Sequence, residues 1–497
     1  MKRLGFAAAV LLILFGCRSA PEPVRPTVPD DTTFLGLAVR QASRVGNSLA
    51  RAELYRRIAT GYRTIGDEAS MHALATAALH LARTARLTEE SVIVQLGLAP
   101  MLASAGDDVS ALAALEAGLL FGSTAEDPRV RASILPFVVQ SALGSDEPAR
   151  PILRRTVDEV YVIEDPGYRA EALIRIAELY QAGGAFLPVT GFLNQAIPAV
   201  RSTNGHVLRA LYFTRLAELA SVTGEAGLSA RLLSSAVAEV DEGPPPANEV
   251  ESGRLVAVVA QLTRLGRAQD ALRFVDVLPD AYHSALALIE MAALTSPSSE
   301  RFDYLGRASG LARQISDTAR FVDAHIRLAE IYQQSAAWQE AVRHGERAAQ
   351  VLATAPDLYS QIALPSHLAE VFVALDRLQA VRELLLHAPG DYARGAVSVR
   401  AAGKLIADGR LGLADDFLTI ALIASDEATE SADELRREIV VGFARTGSIR
   451  LAIRTIERMT IELLRAQSVA ELAVEAEPAG LITPIYRADL ASVLAAR

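Results

Sequence analysis

The sequence predicts an all-α protein, a right-handed solenoid of about twelve antiparallel helical hairpins, and three observations carry that expectation. Hydrophobic residues make up 51% of the chain but aromatics only 5%. Ala and Leu supply most of the apolar share, a mix that suits long helices and serves sheets poorly. At 497 residues the chain exceeds one ordinary core, so it is either several domains or one structure that grows by stacking. Finally, one segment recurs from Thr33 onward, most legibly as Arg175-Ile-Ala-Glu-Leu-Tyr180, Arg215-Leu-Ala-Glu-Leu219, Arg327-Leu-Ala-Glu-Ile-Tyr332 and His367-Leu-Ala-Glu-Val-Phe372.

The first element is a leader. Lys2 and Arg3 give a positive start, Leu4 to Phe15 form an apolar stretch too short for a comfortable membrane span, and Leu14-Phe15-Gly16-Cys17 follows. This resembles a bacterial lipobox, with Gly16 the small residue before cleavage and Phe15 bulkier than that pattern favours. The resemblance implies a signal peptide over residues 1–16 and lipidation at Cys17, the single cysteine. Acyl chains contribute about 0.8 kcal/mol per buried methylene, so a chain carrying more than one stays on the membrane. Residues 17–32 follow as a tether: Pro21, Pro23, Pro26 and Pro29 favour extended polyproline geometry and a reach of roughly 40 Å. Arg18 after the cysteine is not the Asp that holds such lipoproteins at the inner membrane. The expected location is the cell envelope, on the periplasmic face of the outer membrane.

Residues 33–497 form the repeat. Anchored on its small central residue, the units centre on Ala59, Ala99, Phe137, Ala177, Ala217, Val259, Ala292, Ala329, Ala369, Ala402, Val440 and Ala473. Nine of the twelve carry a Gly seven residues later: Gly66, Gly106, Gly144, Gly184, Gly224, Gly266, Gly409, Gly447 and Gly480. A chain that must reverse within a few residues ends its helix best on a residue free to take positive φ. Five residues further on, Ala111, Ala149, Ala271, Ala341, Ala414 and Ala452 open a second apolar stripe, which predicts two helices and a tight turn per unit. Pro166, Pro279, Pro356 and Pro389 stand just ahead of first helices, each with a tyrosine two or three residues later for packing. Residues 243–248, Gly-Pro-Pro-Pro-Ala-Asn, cannot be helical and read as a bulged loop or a hinge.

This pattern resembles the tetratricopeptide repeat, in which a small residue on the first helix is followed by an aromatic three positions on and an Ala on the second helix. Tyr62, Tyr180, Tyr332 and Phe372 fill the aromatic column. The early Trp of that family is absent, and its period of 34 is stretched in most units. The resemblance implies a stacked array that holds a protein or peptide partner in its concave face. Glu178, Glu218, Glu330 and Glu370 directly follow the anchor, at a position that faces the groove in that family, with Gln181, Gln333 and Gln334 one turn on. Such a row favours a basic or amine-bearing segment. An envelope scaffold or adaptor is therefore the first functional expectation. The other is an accessory subunit of an envelope transporter that takes a small apolar or anionic ligand, which requires a closed solenoid with an apolar pore.

Several classes are disfavoured. A net charge of -10, with Lys only at Lys2 and Lys404, suits no nucleic-acid partner. Gly403-Lys404 lacks the rest of a phosphate-binding loop, Gly227-Leu-Ser-Ala-Arg231 is not a nucleophile elbow, and His72 and His80 lie two turns apart, too far for one metal. No catalytic residue, metal or cofactor is expected.

Overall fold

The computed structural model describes residues 33–145, 149–428 and 431–495. The leader, Cys17 and the Pro-rich tether lie outside them. Twenty-five α-helices and one 3₁₀ turn (Pro356–Ser360) account for the described elements, and no strand occurs among these residues. Helix α1 (Phe34–Ser43) precedes twelve pairs. The first helices of the pairs are α2 (Ser48–Thr64), α4 (Glu89–Ser104), α6 (Pro128–Leu143), α8 (Pro166–Ala182), α10 (His206–Val222), α12 (Glu249–Arg264), α14 (Ala281–Leu294), α16 (Thr318–Gln334), α18 (Ala363–Ala374), α20 (Asp391–Ala407), α22 (Ala432–Thr446) and α24 (Glu462–Ala476). Their seconds are α3 (Glu68–Thr84), α5 (Asp108–Thr124), α7 (Arg150–Tyr161), α9 (Phe186–Arg201), α11 (Ala226–Glu242), α13 (Ala268–Val275), α15 (Ser299–Ala312), α17 (Trp338–Thr354), α19 (Leu378–His387), α21 (Leu411–Glu427), α23 (Ile449–Glu457) and α25 (Pro484–Ala495).

The helices begin and end for local reasons. Asn47, Thr88, Asp127, Asp165, Asn248, Asp280 and Asp317 each accept an amide hydrogen bond from the first turn of the helix that follows. That satisfies donors with no partner inside the helix. At the other end, Gly66 has φ +79°, the Gly66 amide donates to the Arg63 carbonyl, and the Asp67 amide donates to the Tyr62 carbonyl at 2.9 Å. This paired closure is a Schellman turn, and it recurs seven residues after the anchor in ten of the twelve units among the described residues. Two units that lack Gly use the same backbone: Ala336 has φ +57° and Asp376 φ +56°.

One anchor shifts. Phe137 is half-buried and Gly144 has φ -82°, outside the left-handed region. The buried set Ala132, Ile134, Leu135, Val138 and Val139 superposes on Ala170, Ala172, Leu173, Ile176 and Ala177, and Pro128 on Pro166. Val139 is therefore the third anchor. Phe137 instead takes the position of Arg175, on the face away from the partner helix. The residue seven beyond Val139 falls among those not described.

Neighbouring first helices lie directly against one another all along the chain, while the second helices pack behind them, so the first helices form the inner track. The loop at 243–248 interrupts nothing on that track, because α10 and α12 touch. The track then meets itself. Helix α24 packs along α2 as it does along α22, and α1 lies against α24 where a second helix would otherwise stand. The amides of Phe34 and Leu35 donate to Glu477 Oε2 at 2.7 and 3.3 Å, Arg44 donates to the Leu494 carbonyl, and Arg57 pairs with Glu471 at 3.1 Å. Gly61 marks the tightest approach, since a Cβ there would stand 2.7 Å from Leu35 Cδ2 and 3.0 Å from Val474 Cγ2. The solenoid is a closed ring whose two ends share one core.

Candidate functional site

Each inner helix is buried on both flanks and leaves one stripe uncovered, the side opposite its partner helix. In α8 the stripe is Glu171, Arg175 and Glu178; in α10 it is Leu211, Arg215 and Glu218; in α16, Asp323, Arg327 and Glu330; in α18, Ala363, His367 and Glu370. These residues face the central opening. For a circular track, twelve helices about 9 Å apart put their axes on a circle about 35 Å across, which leaves an opening of about 25 Å. The lining is polar and charged around most of the ring, with a neutral arc where α4 and α6 present Ile93, Gly97, Pro100, Ser133, Phe137 and Gln140, and a second where α12 presents Gly253, Ala257 and Ala260.

The glutamate row faces the opening, yet it is not a bare strip of negative charge. Glu178 is bridged by Arg215 of the next inner helix at 2.9 Å, and the same guanidinium reaches Glu171 at 2.7 Å. Burial works against the charge on Arg215, but Glu171 and Glu178 outweigh it and raise its pKa. Glu218 meets Arg264 at 3.4 Å, and Glu330 meets His367 at 3.2 Å. The His367 hydrogen bond holds the Glu330 carboxyl below the usual carboxylate range, and Glu330 in turn raises His367. Each rung joins one repeat to the next. The signal was in the motif itself, whose first residue, Arg215 or His367, supplies the cation for the Glu one repeat earlier.

Of the seven residues expected in the groove, the fold gathers Glu330, Gln333, Gln334 and Glu370 around one recess of about 380 Å³ between α16, α18 and α20, together with His367 and Lys404. Gln334 donates to Glu330 at 3.4 Å. Glu178, Gln181 and Glu218 stand on α8 and α10, apart from it. A larger adjoining recess of about 510 Å³ runs on from Glu370 across α20 and α22 to Glu471 of α24. Its lining includes Arg400, Lys404, Arg437, Glu438 and Arg445, most of which the motif did not point to because these repeats carry Gly403 and Val441 where it has Glu.

Within that recess most charges are answered. Lys404 pairs with Asp408 at 2.9 Å, Arg445 with Glu475 at 2.7 Å, and Arg437 donates to Gln467 at 3.1 Å and stands 3.5 Å from Glu471. Burial pushes the Glu471 carboxyl up despite Arg437 and Arg57 beside it. Among the described residues, Arg400, Glu370 and Glu438 form no ion pair or hydrogen bond. No group of three or more His, Cys, Asp and Glu side chains that could hold a metal occurs among them either.

A second polar cluster lies inside the eighth hairpin. His325 and His344 are fully buried with their Nδ1 atoms 2.7 Å apart, one donating and the other accepting. His344 Nε2 contacts Ser309 Oγ at 3.2 Å, and Ser309 contacts the Tyr332 hydroxyl. Burial, with Arg347 and Arg313 nearby, pushes His325 down to about 4; burial, the facing His325 and the same arginines push His344 down to about 3. Both rings are neutral at physiological pH.

No protein family and no curated protein matches the sequence. Among solved structures, a protein from Thermococcus onnurineus NA1 is similar at 15% identity and TM-score 0.27, over 76% of this chain and 98% of that one. A signal-transduction ATPase with a tetratricopeptide repeat sensor from Pyrococcus horikoshii is similar at 14% identity and TM-score 0.27, over 83% and 68%. A circular tandem repeat protein with novel repeat topology aligns at 16% identity and TM-score 0.14, over 93% and 95%. Likenesses this weak say nothing of activity. The chain is a helical-repeat protein. Among the described residues of this repeat protein, no helix is long and apolar enough to cross a membrane.

Proposed function

We propose that this chain is a tetratricopeptide-like bacterial lipoprotein that works as an interaction scaffold, holding a polypeptide partner in the central opening of its ring. The observation that carries the reading is the inner wall. Twelve inner helices turn their uncovered stripes to one enclosed space, and outside α4, α6 and α12 most of those stripes carry charged or amide side chains in columns one repeat apart. A surface of that kind offers directional polar contacts along an extended chain, which is how helical-repeat arrays present long concave binding faces. The proposal includes no catalysis and no cofactor.

Attachment is read from Lys2, Arg3, the apolar stretch to Phe15, and Gly16-Cys17. Acylated at Cys17, the ring would hang from the periplasmic face of the outer membrane on the Pro-rich tether. Palmitate labelling of the wild type, abolished in Cys17→Ser, tests that half of the proposal. A photo-crosslinking residue tests the other half. Placed at Arg175, Glu218 or Gln334, it should capture a protein partner in native envelopes, whereas the same probe at Leu120 or Ile423 should not. Equal capture at both sets of positions would refute the reading.

Ring closure favours one further reading, an accessory subunit that delivers a small ligand to an envelope transporter, but it meets only half of what that role calls for: the solenoid is closed, and its lining is largely charged where an apolar pore was expected. The charged lining suits an anionic or zwitterionic ligand and not an apolar one.

A further inference from the structure

The inner columns set up an expectation that one place in the ring breaks. Where the column that follows the anchor carries Glu, the next inner helix elsewhere answers it: Arg215 answers Glu178 and His367 answers Glu330 from the column three residues before their own Glu, and Glu218, which faces Ala257 in that column, is answered by Arg264 instead. By the same rule Arg400 should answer Glu370. Both residues line the 510 Å³ recess, but no bond joins them, and the other cations of the recess are turned elsewhere, Lys404 to Asp408, Arg437 to Gln467 and Glu471, and Arg445 to Glu475. Glu438, on the next inner helix, is likewise unpaired across the recess from them. At the position where α20 would carry its own Glu it carries Gly403, and a Cβ there would meet nothing within 4 Å, so the recess is open to the ring interior at that point. One unpaired guanidinium and two unpaired carboxylates therefore surround a space whose volume is in the range of specific ligand sites.

Resting on the reading of the ring as a polypeptide holder, we infer that this recess between α18 and α24 receives a peptide segment carrying both charges, a carboxylate directed to Arg400 and an ammonium or guanidinium directed to Glu370 and Glu438. A purely basic segment leaves Arg400 unanswered, and a purely acidic one faces two carboxylates besides the partly buried Glu471. Only the mixed segment answers all three. Arg400 supplies a planar pair of donors for a carboxylate, and Glu370 and Glu438 accept from a cation on either side of it.

The test uses the full chain in detergent and fluorescein-labelled twelve-residue peptides read by anisotropy: alternating Glu-Lys, all-Glu, all-Lys and a neutral Gly-Ser peptide, with unlabelled Glu-Lys dipeptide as competitor. The alternating peptide should bind at least tenfold more tightly than the other three. Arg400→Gln should erase that preference, and Glu370→Gln with Glu438→Gln should reduce it by about as much. Arg83→Gln, on the exposed face of the outer helix α3, should leave it unchanged and serves as the control. Equal binding of charged and neutral peptides, or no effect of Arg400→Gln, overturns this inference while the scaffold reading survives on its crosslinks. Failure of every peptide to bind, together with silent crosslinks, overturns both. Full displacement by free dipeptide would assign the recess to a small zwitterion and overturn the peptide segment as occupant.

Discussion

Replacing His325 and His344 together by leucine should remove an acid-labile joint from the eighth hairpin. Both folded values, about 4 and about 3, lie well below the ordinary imidazole pKa of about 6.5. Above pH 6.5 the rings are neutral whether the hairpin is open or closed, and the pair contributes no pH dependence. Below it the opened hairpin takes up protons that the closed one refuses, so stability falls as pH drops from about 6.5 toward the folded values. At pH 5 each ring accounts for 1.5 pH units, about 2 kcal/mol at about 1.4 kcal/mol per unit, and the two for about 4 kcal/mol. Amide exchange of peptides from α15, α16 and α17, corrected for the intrinsic rate, reads this locally and does not require the whole ring to unfold in one step. Between pH 7 and pH 5 the wild type should lose about 4 kcal/mol more opening free energy than His325→Leu/His344→Leu. Slopes that agree within about 1 kcal/mol would refute the neutral buried pair, whatever the variant does to stability at pH 7.

The other predictions concern the turns, the ring joint and one buried carboxylate. Ala336→Gly should raise stability by about 0.5–1 kcal/mol, because the left-handed backbone costs an L-residue more than glycine loses in chain entropy; Gly224→Ala should lower it by about 1 kcal/mol, both read by thermal unfolding. Glu477→Ala leaves the Phe34 and Leu35 amides without their acceptor, so exchange in α1 should accelerate by an order of magnitude or more while α8 is unaffected; equal rates in the two helices would contradict the joint. Asp433 is buried and accepts from Thr460 N, Thr460 Oγ and Ile461 N at 2.6–3.0 Å, and Arg436 pairs with it. Burial raises its pKa, but those donors prevail and hold it below the ordinary carboxylate value, so its contribution is present above about pH 4 and lost as pH falls through the lower folded value. Asp433→Asn should cost about 2–3 kcal/mol at pH 7 in exchange protection of α22 and α23, with no cost indicating that the four donors are satisfied elsewhere.

The hairpins were legible because each is specified within about forty residues: an anchor, a left-handed residue seven later, and small residues where two helices meet. Two of the three units without glycine still obey the spacing, through Ala336 and Asp376, although nothing in their composition announces it. The third unit misled because Gly144 sits two residues before the position the backbone requires, and spacing alone could not choose between Phe137 and Val139 until burial did. The neutralised glutamates were hidden for a different reason. Glu178 and Arg215 are 37 residues apart, a contact that exists only after two repeats stack. Closure was further still from view. Phe34 and Glu477 lie 443 residues apart, and they meet only because the small rotations of twelve units accumulate. No local segment encodes that total.

A closed track also fixes its own arithmetic. Each unit must turn by about 30° for twelve to complete a circle, so the array cannot gain or shed a member the way an open repeat array does. An added or deleted hairpin would separate α1 from α24 and uncover Phe34, Leu35 and the facing side of α24 at once. For this molecule copy number is a stereochemical constant, and drift in its sequence should be far freer within repeats than in how many there are.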